Sequence, residues 1–260
     1  MKRKIVKRAD LFAVVMMLFF PAFRPAGAQE STLTATEIVR KAYDLMRGKS
    51  SYSEVTMHII RPTWERTISF KAWAKGTRFS LIYITAPARE KGQVFLKRDK
   101  EMWNWVPSIG RTIKIPPSMM MQSWMGSDMT NDDLVKESSI VEDYNHRLVG
   151  TEKVAGYDCY KIELTPKEDA AVVWGKIYTW ISKEGFLTLK NEYYDEDGYL
   201  VNTETLSKIR NVGDRTIPTY FEMVPADKPG HKTTMEFDHI RFNIAIDDDF
   251  FSLQNMRRVH

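Results

Sequence analysis

The 260-residue chain contains a single cysteine, Cys159, so no internal disulfide can hold it together. A chain of this size that folds outside the cytoplasm without disulfides must rely on its apolar core. Histidine is also scarce. His58, His146, His231, His239 and His260 form no His-Glu-x-x-His, no pair four residues apart and no pairing with cysteine, which argues against a bound metal. Gly126-Ser127-Asp128 does not fit a serine-nucleophile elbow, and no glycine-rich phosphate loop is present. The acidic run Asp128-Met-Thr-Asn-Asp-Asp133 lacks the glycine and distal glutamate of a calcium loop. Cys159 has no base marked for it and reads as a buried, inert thiol. Together these absences argue against an enzyme and against a cofactor.

No apolar run is long enough to span a bilayer. The longest, Leu11 to Phe20, is about ten residues. It follows the basic residues Lys2, Arg3, Lys4, Lys7 and Arg8 and precedes Ala26-Gly27-Ala28. This is the pattern of a secretory signal peptide over residues 1–28, with cleavage expected before Gln29 and the periplasm as destination. Residues 29–260 are then expected to form one domain. The signal also carries the apparent basicity. Residues 1–28 hold six of the 38 Lys+Arg and one of the 34 Asp+Glu, leaving 32 against 33. The remainder has a net charge of −1 and no nucleic-acid signature.

Methionine is plentiful. Five of the 14 methionines, with Trp124, fall between Met119 and Met129. Unbranched thioethers fill irregular apolar space and repack readily, which suits a lid over flexible hydrocarbon. Upstream, Thr34-Ala-Thr-Glu37 is expected to cap a helix whose apolar positions are Ile38, Ala42, Leu45 and Met46, ending at Gly48. From Thr63 onward the pattern turns to period two. Trp64, Ile68, Phe70 and Ala72 share one parity, with Arg66 and Trp73 as exceptions. Further strands are expected from Thr77 to Phe242, about eleven or twelve in all. Thr130 or Asn131 is expected to cap a short helix, with Asp132 and Asp133 in its first turn.

Several strands carry large side chains on both parities. A strongly curved sheet around an apolar, ligand-holding concave face accounts for this, and so does a packed sandwich core without any ligand.

The runs Pro87–Lys97 (P-A-R-E-K-G-Q-V-F-L-K), Met102–Ser108 (M-W-N-W-V-P-S), Arg111–Pro116 (R-T-I-K-I-P), Trp124–Leu134 (W-M-G-S-D-M-T-N-D-D-L) and Gly156–Lys167 (G-Y-D-C-Y-K-I-E-L-T-P-K) occur in that order. Through them the chain resembles the outer-membrane lipoprotein-sorting protein family, the LolA-like periplasmic proteins. The resemblance implies a mainly β fold, a strongly curved antiparallel half-barrel of about eleven strands with two or three helices covering its apolar concave face. It implies a non-enzymatic carrier of lipid or of lipoprotein acyl chains, accompanying an inner-membrane exporter of the resistance-nodulation-division type and, further on, an outer-membrane acceptor. The chain departs from the family pattern at Met129, where phenylalanine is associated with the motif. It also lacks an obvious counterpart of the arginine that holds the lipoprotein carrier closed, for which Arg66 is a candidate.

On parity and the lid argument, the expected cavity residues are Trp64, Ile68, Phe70, Phe79, Leu81, Tyr83, Trp103, Trp105, Met120, Trp124 and Met125. Arg66, Arg111, Asp128, Asp132 and Asp133 are expected to latch or rim the lid. A periplasmic adaptor or sensor that docks on a transporter without cargo is the alternative.

Overall fold

The computed structural model describes residues 33–136, 140–170 and 172–259. The expected signal peptide and its cleavage site lie outside these residues. The chain opens with helix α1 (Ala35–Arg47), whose start is fixed by a capping box. Thr34 Oγ1 accepts a hydrogen bond from Glu37 N (3.2 Å), and the Glu37 carboxylate accepts one from Thr34 N (2.7 Å). That backbone hydrogen bond holds the Glu37 carboxyl below its usual range. Gly48 ends the helix with a positive φ of 63°. Ile38, Val39 and Ala42 form its buried stripe.

Thirteen strands follow: β1 (Ser50–Arg61), β2 (Trp64–Lys75), β3 (Phe79–Ala86), β4 (Val94–Arg98), β5 (Glu101–Val106), β6 (Arg111–Ile115), β7 (Tyr144–Val154), β8 (Tyr157–Pro166), β9 (Lys176–Ser182), β10 (Thr188–Tyr194), β11 (Leu200–Val212), β12 (Arg215–Pro225) and β13 (Lys232–Phe242). A short helix, α2 (Asn131–Lys136), lies between β6 and β7. All strands join one antiparallel sheet in the order β6-β5-β4-β3-β2-β1-β13-β12-β11-β10-β9-β8-β7. It consists of two meanders, β1–β6 and β7–β13, paired to each other through β1 and β13.

This corrects the expected architecture. The sheet has thirteen strands instead of about eleven, and it is open, neither closed nor strongly curled into a half-barrel; β6 and β7 are its two separate edges. The missed strand is β1, at the centre. In the first meander, large side chains stand on both parities because both faces of β2–β5 are covered. On one face Ile68, Phe70, Ile82, Ile84 and Phe95 pack with Trp124. On the other, Phe79, Leu81, Tyr83, Val94 and Leu96 pack with Phe251 and Met256 from the C-terminal segment. A strand buried on both faces needs apolar residues at every position, whatever the curvature.

The topology also dictates what the methionine-rich segment does. Because β6 and β7 are opposite edges, the link between them must cross a face of the sheet. It crosses the face where Trp124 packs, then reaches α1, β8 and β9, where Val141 and Tyr144 join Ile38, Val39, Ile162 and Ile177.

Candidate functional site

Beneath α1 and the crossing segment lies a cavity of about 350 Å³. Its origin can be read along the strands of the first meander. One row of facing side chains, Val55, Phe70 and Ile84, is large and fills its space. The next row is Ser53, Ala72 and Ile82, and the one after it Ser51, Ala74 and Ser80. The side chains shrink from row to row while the backbone spacing stays constant, so room is left. The opposite wall is apolar: Leu206, Phe221 and Met223 on β11 and β12, Met235 and Phe237 on β13, and Ile177 and Ile181 on β9. Val39, Ala42 and Met46 of α1 line it, as do Trp124 and Met129 of the crossing segment.

Trp124 anchors that segment. It is 1% exposed and meets Phe70 and Phe95 edge-on, with centroids 5.7 and 5.4 Å away. Left-handed backbone at Met125 (φ 52°) and Gly126 (φ 79°) then reverses the chain. A Cβ at Gly126 would stand 3.2 Å from Arg66 Nη2, so both conformation and space favour glycine. Two arginines grip the turn. Arg66 Nη2 donates to the Met125 carbonyl, and its guanidinium lies 3.6 Å from Glu90. Arg61 Nη2 donates to Gly126 O (2.8 Å), and its Nη1 pairs with Asp128 at 3.0 Å. The side chains of Arg61 and Asp128 are only 8% and 6% exposed, and Thr233 donates a further hydrogen bond to Asp128 (2.6 Å).

The sequence-predicted residues are distributed as follows. Phe70 and Trp124 line the cavity, and Ile68, Met120 and Met125 pack in the adjoining cluster on the same face. Phe79, Leu81, Tyr83, Trp103 and Trp105 lie on the other face, against the C-terminal segment. Trp64 is 47% exposed beside the guanidinium groups of Arg61 and Arg66. Of the expected latch residues, Arg66 and Asp128 meet the turn after Trp124, and Asp132 and Asp133 line the cavity instead. Arg111 is exposed on edge strand β6, and neighbouring Lys114 pairs with Glu101. Sequence reasoning missed Arg61, which pairs with Asp128, and the small residues Ser51, Ser53, Ala72, Ala74 and Ser80. The available signal was serine and alanine at positions of inward parity.

Polar groups sit at three places in the cavity wall. Lys97 Nζ donates to Thr77 O (2.8 Å) and Arg47 Nη1 to Gly76 O (3.2 Å), both at the turn between β2 and β3. On β10 and β11, Asn191 Nδ2 and the Tyr193 hydroxyl donate to Glu204 Oε2 at 2.8 and 2.9 Å. Asp133 accepts from Trp174 Nε1 (3.1 Å) and from Thr130 N (2.7 Å), and Thr130 Oγ1 accepts from Asp133 N (3.1 Å), which caps α2. Burial pushes the Asp133 carboxyl above its usual range, opposed by the hydrogen bonds from Thr130. Among the buried polar atoms of lining residues, Trp124 Nε1 and Asn191 Oδ1 have no hydrogen-bond partner. Cys159 is fully buried, and burial raises its thiol pKa, as expected of an inert thiol. Among the described residues no group of three or more His, Cys, Asp or Glu could hold a metal ion.

A family model described as "uncharacterized protein" matches residues 76–258. The chain belongs to that family. No curated protein matches it. Among solved structures, a DUF1329 family protein from Desulfovibrio piger is 26% identical, with a TM-score of 0.79 over 85% of this chain and 97% of the other. A LolA superfamily protein from Nitrosomonas europaea is 25% identical, with a TM-score of 0.75 over 86% and 99%. A domain described as an outer membrane lipoprotein-sorting protein, from Vibrio parahaemolyticus, is 21% identical, with a TM-score of 0.77 over 86% and 98%, and shows the shared fold. The chain therefore shares the fold of the LolA superfamily and DUF1329 proteins.

Proposed function

We propose that the protein is a soluble periplasmic carrier that takes the acyl chain of a lipid or lipoprotein into the cavity under α1 and the crossing segment. The carrying observation is the cavity itself. It is created by small residues at inward positions and walled by apolar side chains, on a fold shared with a lipoprotein-sorting domain. Its volume is at the low end of ligand pockets, which suits part of one hydrocarbon chain. Each methylene buried there contributes about 0.8 kcal/mol, so a short stretch of chain gives several kcal/mol. In this reading Phe70 and Trp124 contact cargo directly, Ile68, Met120 and Met125 support them, and Arg61, Arg66 and Asp128 hold the segment closed. Residues 1–28 are removed at Ala28-Gln29, and residues 29–260 act as one domain. An inner-membrane exporter of the resistance-nodulation-division type hands over the cargo, and an outer-membrane acceptor takes it.

Native mass spectrometry of the mature protein taken from periplasm, with lipidomics on whatever co-purifies, tests the reading. A lipid or acylated peptide near one-to-one is expected. The variant Ala72→Phe, which fills the space from a central inward position, should lower that occupancy at least tenfold. A folded Ala72→Phe protein with undiminished lipid would count decisively against this cavity. The exposed apolar side chains of Ile109, Ile113, Met119 and Met121, on and beside edge strand β6, favour a second reading. There the same fold docks on a transporter as an adaptor without cargo, and a protein that is reproducibly empty and takes up no labelled lipid would select it.

A further inference from the structure

We propose that the row of turns at one end of the first meander is a docking surface for a bilayer that contains anionic phospholipid. The proposal goes beyond the carrier reading and does not depend on it, because none of the residues that carry it lines the cavity. Strands β1 to β6 pair antiparallel in sequence order, so the β1–β2, β3–β4 and β5–β6 turns emerge at the same end. Neighbouring strands lie about 4.8 Å apart, which spreads the three turns over about 20 Å. They also touch in series. The Arg66 guanidinium, at the start of β2, lies 3.6 Å from Glu90 in the second turn. A Cβ at Gly92, which closes that turn, would stand 3.4 Å from Pro107 in the third.

Each turn sets an apolar or cationic side chain outward. Trp64 is exposed where β2 begins, and Arg89 and Lys91 are exposed in the second turn. Ile109 is 57% exposed at the tip of the third, which Gly110 N closes by donating to Pro107 O (3.1 Å). Edge strand β6 continues the surface with exposed Arg111 and, two residues on and on the same face, Ile113. Three exposed cations thus stand among three exposed apolar side chains, against one exposed acid, Glu65. At the same end the second meander has the opposite sign. Its turns carry the exposed acids Glu168, Asp169, Glu196, Asp197 and Asp227 against two exposed lysines. An anionic surface attracts one half of this end and repels the other, which turns the first meander towards it. There the cations meet lipid phosphates, Trp64 sits at head-group level, and Ile109 and Ile113 enter the acyl boundary. A fluid interface accepts a row of projecting tips without needing a pocket to match them.

The test is flotation of the mature protein with vesicles of phosphatidylcholine alone and of phosphatidylcholine mixed with phosphatidylglycerol. Each lysine or arginine at an anionic surface is worth about fivefold in affinity, so the mixed vesicles should bind at least about tenfold more tightly. High salt should remove that advantage. The double variant Arg89→Glu/Lys91→Glu, at two exposed sites, should lower affinity for the mixed vesicles at least about tenfold. Ile109→Ser should lower it about tenfold through lost apolar burial. Ala72→Phe, which fills the cavity, should float as the parent does. Equal binding to the two vesicles, binding to neither, or binding that neither the charge reversal nor Ile109→Ser weakens would overturn the proposal and leave the carrier reading standing. Capture by native membranes but not by lipid alone would overturn it in favour of a protein receptor. Loss of flotation in folded Ala72→Phe would also overturn it, by tracing the binding to the cavity.

Discussion

Two segments cover the two faces of β2–β5, and they do it in opposite ways. The C-terminal segment presses Phe250, Phe251 and Met256 onto Phe79, Leu81 and Leu96; Phe251 is fully buried and stacks on Phe79 at 5.4 Å. It is held by apolar area, helped by Lys75, which bonds the Ile246 carbonyl (2.8 Å). The crossing segment puts one tryptophan into the sheet, is gripped by Arg61 and Arg66, and leaves Met119 and Met121 exposed and a cavity beside it. Apolar area is non-directional and seals a face. A turn held through one aromatic anchor and two guanidinium groups concentrates its attachment in few contacts, which is the arrangement of a door more than of a wall.

The comparison can be broken at its strongest point first. Phe251→Ala should destabilise the protein by about 4 kcal/mol in denaturant titration, while the folded fraction keeps its lipid occupancy. A loss of occupancy in folded Phe251→Ala protein would mean that the two faces are not independent. Asp128→Ala leaves Arg61 buried without its anion and should cost about 3 kcal/mol. Here hydrogen exchange should accelerate first at the amides of Trp124, Asn131 and Asp132, which bond Met129, Gln122 and Met120 carbonyls, and not in the C-terminal segment. Uniform acceleration over the whole chain would remove the distinction between door and wall. Met121→Ser, at a side chain 58% exposed, should change stability by less than about 0.5 kcal/mol. A larger loss would show that Met121 packs in solution.

What the sequence disclosed, and what it hid, follows the same division. The helix start at Thr34, its stop at Gly48 and a cap at Thr130 or Asn131, of which the structure uses Thr130, were legible because capping chemistry is local. Most strands after Thr63 were legible because their alternation is apolar. β1 was not, although Val55, Met57 and Ile59 alternate with Glu54, Thr56 and His58. Its inward residues beside the cavity are Ser51 and Ser53, and a strand that borders a void does not look hydrophobic there. Parity told which residues of β3 share a face but not which face; Phe79, Leu81 and Tyr83 are the larger set, yet Ser80 and Ile82 line the cavity. The second cover, built from short turns around Phe251 and Met256, has no periodicity to announce it. Arg61 was passed over because a cation at the end of a strand usually reaches solvent.

The pairing of β1 with β13 has a consequence in time. Most other neighbours in the sheet are consecutive hairpins, whose partners meet early because little chain separates them. The central seam is different: Ser51 pairs with Phe242, and Ser50 Oγ bonds the carbonyl of Ile244, 194 residues away. Loop-closure entropy must be overcome before that contact gains anything. Ser51, Ser53 and Ala72 stand on one side of the seam, and Met235, Phe221 and Leu206 on the other. The cavity therefore has no existence in either meander alone. It is a late product of folding, complete when the two ends of the chain have found each other.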